Sequence, residues 1–127
     1  MTDRTTIEQL VRQLHSARID GELDKLYSLF AGNARLRIAG TSDGKPIAIA
    51  ATGIDAIRPW LSLLVKTFKL TGYENLSTVI DGTKAAVHWR VEIHSKITGK
   101  SVSTELVDLV EVRGARIQTY TEFFVPC

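Results

Sequence analysis

The 127-residue chain has a single cysteine, its last residue, Cys127. That excludes a disulfide scaffold and a cysteine-based zinc site, and in a cytoplasmic setting the thiol is expected to be reduced. It lacks a surplus of charge of one sign: 16 Lys and Arg against 14 Asp and Glu leave +2. Its basic residues are scattered in pairs, Arg35 and Arg37, Lys66 and Lys69, Arg113 and Arg116, without interleaved aromatic residues that could stack on bases. Nucleic acid is therefore not an expected partner. No apolar run approaches the roughly 18 residues of a membrane span. The polar start Met1-Thr2-Asp3-Arg4-Thr5-Thr6 lacks the apolar centre of a signal peptide, so the expected location is cytoplasmic, away from membranes. Gly40-Thr41-Ser42-Asp43-Gly44-Lys45 lacks the spacing of a phosphate-binding loop. No repeat, linker or low-complexity tract is present, and the length suits one domain over 1–127.

What is present is an ordinary globular composition, 44% hydrophobic and 24% charged, with a change of period midway. Ile7, Leu10, Val11, Leu14 and Ala17 recur at the spacing of one helical stripe. Thr5 with Glu8, and Thr6 with Gln9, offer capping boxes at its start. Asp20 is expected to cap a second helix with the face Leu23, Leu26, Tyr27 and Phe30, ended by Ala31-Gly32-Asn33. Residues 34–39 alternate as a half-buried strand, with Leu36 and Ile38 on one face and Arg35 and Arg37 on the other. Gly40 to Pro46 reads as a loop, and Ile47 to Ala51 as a short edge strand. A third helix opens at Gly53, with Pro59 predicting a kink or a late start. Four β runs follow, near 70–80, 84–96, 101–112 and 116–125, punctuated by Asp81-Gly82, Thr98-Gly99 and Gly114.

Alternation assigns faces to these runs. Val87, Trp89, Val91 and Ile93 share one face, expected inward; His88, Arg90, Glu92 and His94 share the other. His88 and His94, six residues apart without a third ligand, do not make a metal site. In the next run Thr104, Leu106, Asp108, Val110 and Val112 share a face, which sets Asp108 among apolar neighbours. Desolvation there raises a carboxyl pKa and can keep the group neutral and donating. In the last run Gln118, Tyr120, Glu122 and Phe124 share a face, and register with Asp108 would turn Tyr120 and Glu122 toward the interior cavity; Glu122, near the strand end, is expected at the rim or in a salt bridge.

Helix, helix, strand, helix, then four long strands is an α+β order. It resembles the nuclear-transport-factor-2-like superfamily, in particular its SnoaL-like members and ketosteroid isomerase. Three stretches carry the resemblance: Asp20-Gly21-Glu22-Leu23-Asp24 through Leu29-Phe30-Ala31-Gly32-Asn33-Ala34; Gly53-Ile54-Asp55-Ala56-Ile57-Arg58; and Leu106 through Ile117 followed by Glu122-Phe123-Phe124. It implies a cone-shaped, cystatin-like α+β roll, three N-terminal helices packed on a curved, mostly antiparallel sheet around an apolar pocket. It also implies a homodimer through the outer sheet face that carries His88, Arg90, Glu92 and His94.

By the same resemblance Asp108 matches the ketosteroid isomerase aspartic acid that stays protonated and helps to hold the oxyanion. The general-base aspartate of that enzyme corresponds to Ile38 and its oxyanion tyrosine to Leu14, with the adjacent His15 expected to point elsewhere. Val125 stands where SnoaL-like relatives often carry a further acid. Steroid isomerisation is therefore not the expected activity, since proton shuttling between carbons needs a base in reach. The leading expectation is a pocket for a small, largely apolar molecule. Leu14, Leu36, Ile38, Trp60, Trp89, Val91, Ile93 and Leu106 would line it, with Glu122 at its edge. Asp108 as acid or base and Tyr120 as oxygen-orienting donor would support cyclase, isomerase or dehydratase chemistry without a cofactor or a metal. The alternatives are a non-catalytic ligand-binding or dimeric module, and an epoxide hydrolase-like site. The latter resembles limonene epoxide hydrolase and would need Arg90 and Glu92 to join Glu122 inside.

Overall fold

A computed structural model describes residues 3–42 and 45–125. Cys127 and the Asp43-Gly44 pair lie outside these residues. The elements run α1 (Arg4–Asp20), α2 (Leu23–Ser28), β1 (Phe30–Ser42), β2 (Lys45–Thr52), α3 (Ile54–Thr67), β3 (Phe68–Asp81), β4 (Lys84–Ser95), β5 (Ser101–Arg113) and β6 (Arg116–Val125). The strands form one six-stranded sheet in the order β2-β1-β6-β5-β4-β3. Every neighbouring pair is antiparallel except β1 and β6. The sheet is curved and the helices pack against it, so the α+β expectation holds.

α1 buries the predicted stripe and more. Ile7, Leu10, Val11, Leu14 and Ala17 face the core, and so do His15 and Arg18. The helix is capped by Asp3 rather than by Thr5 or Thr6: the Thr6 N–H donates to the Asp3 side chain at 2.8 Å. The aspartate reaches an orphan amide of the first turn that a threonine further in cannot. At the other end Asp20 is the last residue of α1 instead of the cap of α2. Gly21, at φ 73°, closes the helix in the left-handed region, which a residue without Cβ enters without strain. α2 is short, capped at Glu22 without a side-chain bond, and Phe30 belongs to the strand that follows.

β1 and β2 pair from Arg35–Thr52 to Ser42–Lys45, so the expected loop is mostly strand. Pro46 is tolerated opposite Thr41 because β2 is an edge. α3 begins at Ile54, ahead of Pro59, so no late start occurs. Gly53 anchors that start: its N–H donates to the Ala34 carbonyl at 2.8 Å, and its own carbonyl receives Ala56 and Ile57.

The inward faces expected from alternation are found along β4 and β5, and in β6 at Tyr120 and Glu122. On β4, Ala85, Val87, Trp89 and Val91 are buried, and Ile93 is half-buried; on β5, Thr104, Leu106, Asp108, Val110 and Val112 are buried. On β6, Tyr120 and Glu122 are buried, whereas Gln118 is skipped at an irregularity in the β5–β6 pairing and bonds Asn33 of β1 on the other side. Leu36 and Ile38 add the wall from β1, and Ile57 and Leu61 the lid from α3. Each such large apolar side chain contributes roughly 1.5–3 kcal/mol on burial.

Candidate active site

Three cross-strand registers assemble the site. Val87 pairs with Asp108, Trp89 with Leu106, and Asp108 with Glu122. Strands run close to 4.8 Å apart, so Asp108, Trp89, Tyr120 and Glu122 converge on the buried face. α1 crosses that face and delivers His15 and Arg18 to it.

Asp108 is fully buried, and its two oxygens differ. Oδ2 lies 2.8 Å from His15 Nε2, 3.0 Å from Trp89 Nε1 and 3.4 Å from the Tyr120 hydroxyl. Trp89 can only donate, so Oδ2 is an acceptor. Oδ1 has no hydrogen-bond partner, a condition no other buried side-chain atom shares among the described residues. Burial pushes the Asp108 carboxyl up to about 7, against the opposing pull of Arg18, Trp89 and Tyr120. The same burial, aided by the Arg18 charge and countered by Glu122, drives the His15 imidazole down to about 3. His15 is therefore neutral at physiological pH. Its Nδ1 lies 2.8 Å from the hydroxyl of Tyr73, a residue of β3 that is 37% exposed.

The second half of the cluster is ionic. Arg18 contacts the Glu122 carboxylate directly and donates to the Tyr120 hydroxyl at 2.9 Å. With its oxygen receiving Arg18, Tyr120 has one proton to give. It lies 2.7 Å from Glu122 and 3.4 Å from Asp108, so the shorter bond to Glu122 takes it. Burial raises the Glu122 carboxyl, and the Arg18 contact works against that. Burial alone would lower the pKa of Arg18, but Glu122, Tyr120 and Asp108 more than reverse it, so the guanidinium stays charged. Its carbon also lies 5.7 Å from the centre of the Trp89 ring, a cation–π distance.

Of the residues singled out from sequence, Asp108, Tyr120, Trp89 and Glu122 come together here. Leu14, Leu36, Ile38, Val91 and Leu106 are buried in the surrounding core, and Ile93 and Trp60 pack against it half-buried. One expectation is corrected: His15 does not point elsewhere, because α1 is rotated so that both Leu14 and His15 face the sheet. Of the two places expected for Glu122, the salt bridge is the one found, with Arg18 and inside the protein instead of at the rim. Arg90 and Glu92 are exposed, and Arg90 pairs with Glu74 at 3.4 Å, so the arrangement an epoxide hydrolase-like site requires is absent. Arg18, His15 and Tyr73 were missed. Val11, Leu14, His15 and Arg18 follow the 3–4 spacing of one helix face, a signal that could have found two of them. Tyr73 sits where the β3–β4 register shifts, which alternation does not anticipate.

Among the described residues no group of three or more His, Cys, Asp or Glu is placed to hold a metal ion, and no helix is long and apolar enough to cross a membrane. Two recesses lie away from Asp108. One, of about 360 Å³, opens on the outer sheet face along Val79, Ala86, Leu109, Thr119 and Thr121. The other, of about 290 Å³, lies between α1 and β3.

Fold and site together define an α+β cone with a buried carboxyl cluster. The SnoaL-like domain family matches residues 11–120, and the chain belongs to that family. No curated protein matches it. A candidate isomerase from Bacillus subtilis is similar in structure at a TM-score of 0.82 and 17% identity, covering 98% of this chain and 89% of that one. An NTF2-like protein from Burkholderia xenovorans is similar at 0.80 and 18%, covering 98% and 92%. A protein with a ketosteroid isomerase-like fold from Catenulispora acidiphila, solved with trimethylamine, is similar at 0.74 and 15%, covering 91% and 85%. Identities this low establish a shared fold and leave chemistry to the site.

Proposed function

We propose that this protein takes a small, largely apolar molecule carrying a carbonyl or hydroxyl group into its cone and performs cofactor-free acid/base chemistry on it, of the cyclase, isomerase or dehydratase kind. The unpartnered Oδ1 of Asp108 carries the reading. Leaving a buried polar atom unpaired costs about 1–3 kcal/mol, and a ligand oxygen or an acidic C–H opposite it would relieve that cost. With Oδ2 receiving His15 and Trp89, a proton on Asp108 belongs on Oδ1. From there it can be donated to a carbonyl oxygen or, after ionisation, a proton can be taken up. A carboxyl poised near neutrality suits either direction. Tyr120 could orient the ligand oxygen only by turning its proton away from Glu122, which holds it at 2.7 Å in the resting arrangement. Leu36, Ile38, Val91 and Leu106 would enclose the apolar remainder. Ile38 and Leu14 supply no second base, so the chemistry rests on one carboxyl acting in both roles.

A second reading, a non-catalytic binding or dimeric module, draws support from Arg18, Tyr120 and Glu122, which satisfy one another within the core. Mass spectrometry of the protein purified under native conditions separates the two. The first expects a retained oxygen-bearing organic molecule whose occupancy falls in Asp108→Asn. An empty protein, or one whose occupancy ignores that substitution, favours the second.

We also propose a homodimer through the outer sheet face. Val79, Ala86, Leu109 and Thr121 lie in one row across four strands, flanked by Val107 and Phe123. Val79, Leu109 and Phe123 are exposed there, and a continuous apolar patch of this kind is usually covered.

A further inference from the structure

Asp108 is buried, yet acid/base turnover requires it to regain or release a proton each cycle. The side chains around it leave one connected route outward. Arg18 holds its protons, and the Tyr120 proton is engaged by Glu122. The Trp89 N–H has no second site to pass a proton to. His15 differs: it bonds Asp108 through Nε2 and Tyr73 through Nδ1, both at 2.8 Å, and Tyr73 is 37% exposed. An imidazole with both nitrogens engaged can receive a proton on one and release one from the other.

We infer that Tyr73, His15 and Asp108 form a proton relay that connects the buried Asp108 carboxyl with solvent. The inference deepens the acid/base reading above by naming how its carboxyl is recharged. In the resting arrangement Tyr73 O–H donates to His15 Nδ1, and His15 Nε2–H donates to Asp108 Oδ2. After Asp108 has given up the proton on Oδ1, the Nε2 proton moves to Oδ2, the Tyr73 proton moves to Nδ1, and a water proton replaces it on the tyrosine oxygen. One N–H bond breaks as one forms on the ring, so His15 ends neutral in its other tautomer. The solvent has lost the single proton that Asp108 gained, which now stands on Oδ2; a half-turn of the carboxyl carries it to the unpartnered position of Oδ1, and a half-turn of the imidazole restores the starting tautomer. The reverse sequence discharges the carboxyl.

The surroundings favour a neutral carrier. Arg18 on the same helix disfavours an imidazolium, and Glu122 from β6 opposes that less strongly than burial and Arg18 impose it. Tyr120 from β6 is tied to Glu122. Trp89 from β4 lies against the His15 ring, with centroids 4.5 Å apart, and Tyr73 from β3 meets it at 5.3 Å. These contacts hold the ring between its two partners.

The test is nitrogen NMR of the full chain labelled at histidine, in the wild type and in Tyr73→Phe, which keeps the ring contacts and removes the hydroxyl. The relay predicts a neutral His15 ring between pH 5 and pH 8, with a tautomer balance that moves with the Asp108 titration. It predicts that exchange of the His15 ring N–H with water slows by about tenfold or more in Tyr73→Phe. A charged His15 ring in that range, or an unchanged exchange rate in a folded Tyr73→Phe, overturns it. Ligand retention is read separately by mass spectrometry. A relay that fails while the ligand still depends on Asp108 therefore leaves the acid/base reading standing, and the converse removes that reading alone.

Discussion

Asp108 and His15 meet at 2.8 Å inside the cone, and the same burial shifts them in opposite directions. Between the ordinary carboxyl value of 3.8 and about 7, the folded protein holds a proton on Asp108 that the unfolded chain has lost. This contribution is full below 3.8 and disappears as pH rises through 7. Between about 3 and the ordinary 6.5, the unfolded chain protonates His15 while the folded protein does not. That contribution is full above 6.5 and disappears as pH falls through 3. Each is on the order of a few kcal/mol by linkage, and across the shared window they oppose one another. The pH slope of thermal melts of the wild type in that window should therefore lie between the slopes of Asp108→Asn and His15→Gln. Asp108→Asn should gain stability as pH rises through it, and His15→Gln should lose it. Parallel slopes in the two variants would contradict the assignment.

Arg18 and Glu122 form an ion pair with both side chains more than nine-tenths buried. Removing one partner strands the other charge, which costs about 3–5 kcal/mol, whereas replacing both with apolar residues can be nearly neutral. Urea denaturation should show Arg18→Met strongly destabilised and Arg18→Met with Glu122→Leu largely recovered. A double variant as unstable as the sum of the single ones would mean that the pair does not act as a unit.

The Phe124 ring lies over Gly40, 2.6 Å from where a Cβ would stand. Gly40→Ala should lose about 1–3 kcal/mol through overpacking, measured by denaturant melts. Adding Phe124→Leu should restore part of it by removing the obstructing ring atoms. A neutral Gly40→Ala would show that β1 and β6 are less tightly apposed than the structure describes.

For the proposed dimer, light scattering should give twice 14.0 kDa for the wild type. Leu109→Glu with Phe123→Glu, both on the outer face, should give a single copy with its helical and strand content unchanged. A monomeric wild type would remove the dimer and leave the interior site untouched.

Much of this fold is legible in the sequence because its strands alternate cleanly. Val87, Trp89 and Val91 against His88, Arg90 and Glu92 fix the faces of β4, and Leu106, Asp108 and Val110 place a carboxyl inside by alternation alone. Helix ends are less legible, since Asp3, Thr5, Thr6, Asp20 and Glu22 are all competent caps and tertiary packing chooses among them. The site is half legible. Tyr120 and Glu122 follow from strand parity, but parity along a strand carries nothing about a helix crossing it. His15 and Arg18 thus read as polar helix residues until α1 is docked. Tyr73 depends on a register shift between Thr71 and Glu74, which is a property of the paired strands and not of either alone.

Burial holds Asp108 as an acid poised near neutrality beside the Arg18–Glu122 ion pair. Carbon NMR of the Asp108 side-chain carboxyl, followed through a pH titration of the intact protein, tests it most directly. The expected midpoint is about 7. A midpoint near the ordinary 3.8 would mean a carboxylate that is solvated or fully paired, and the acid/base reading would fall with it.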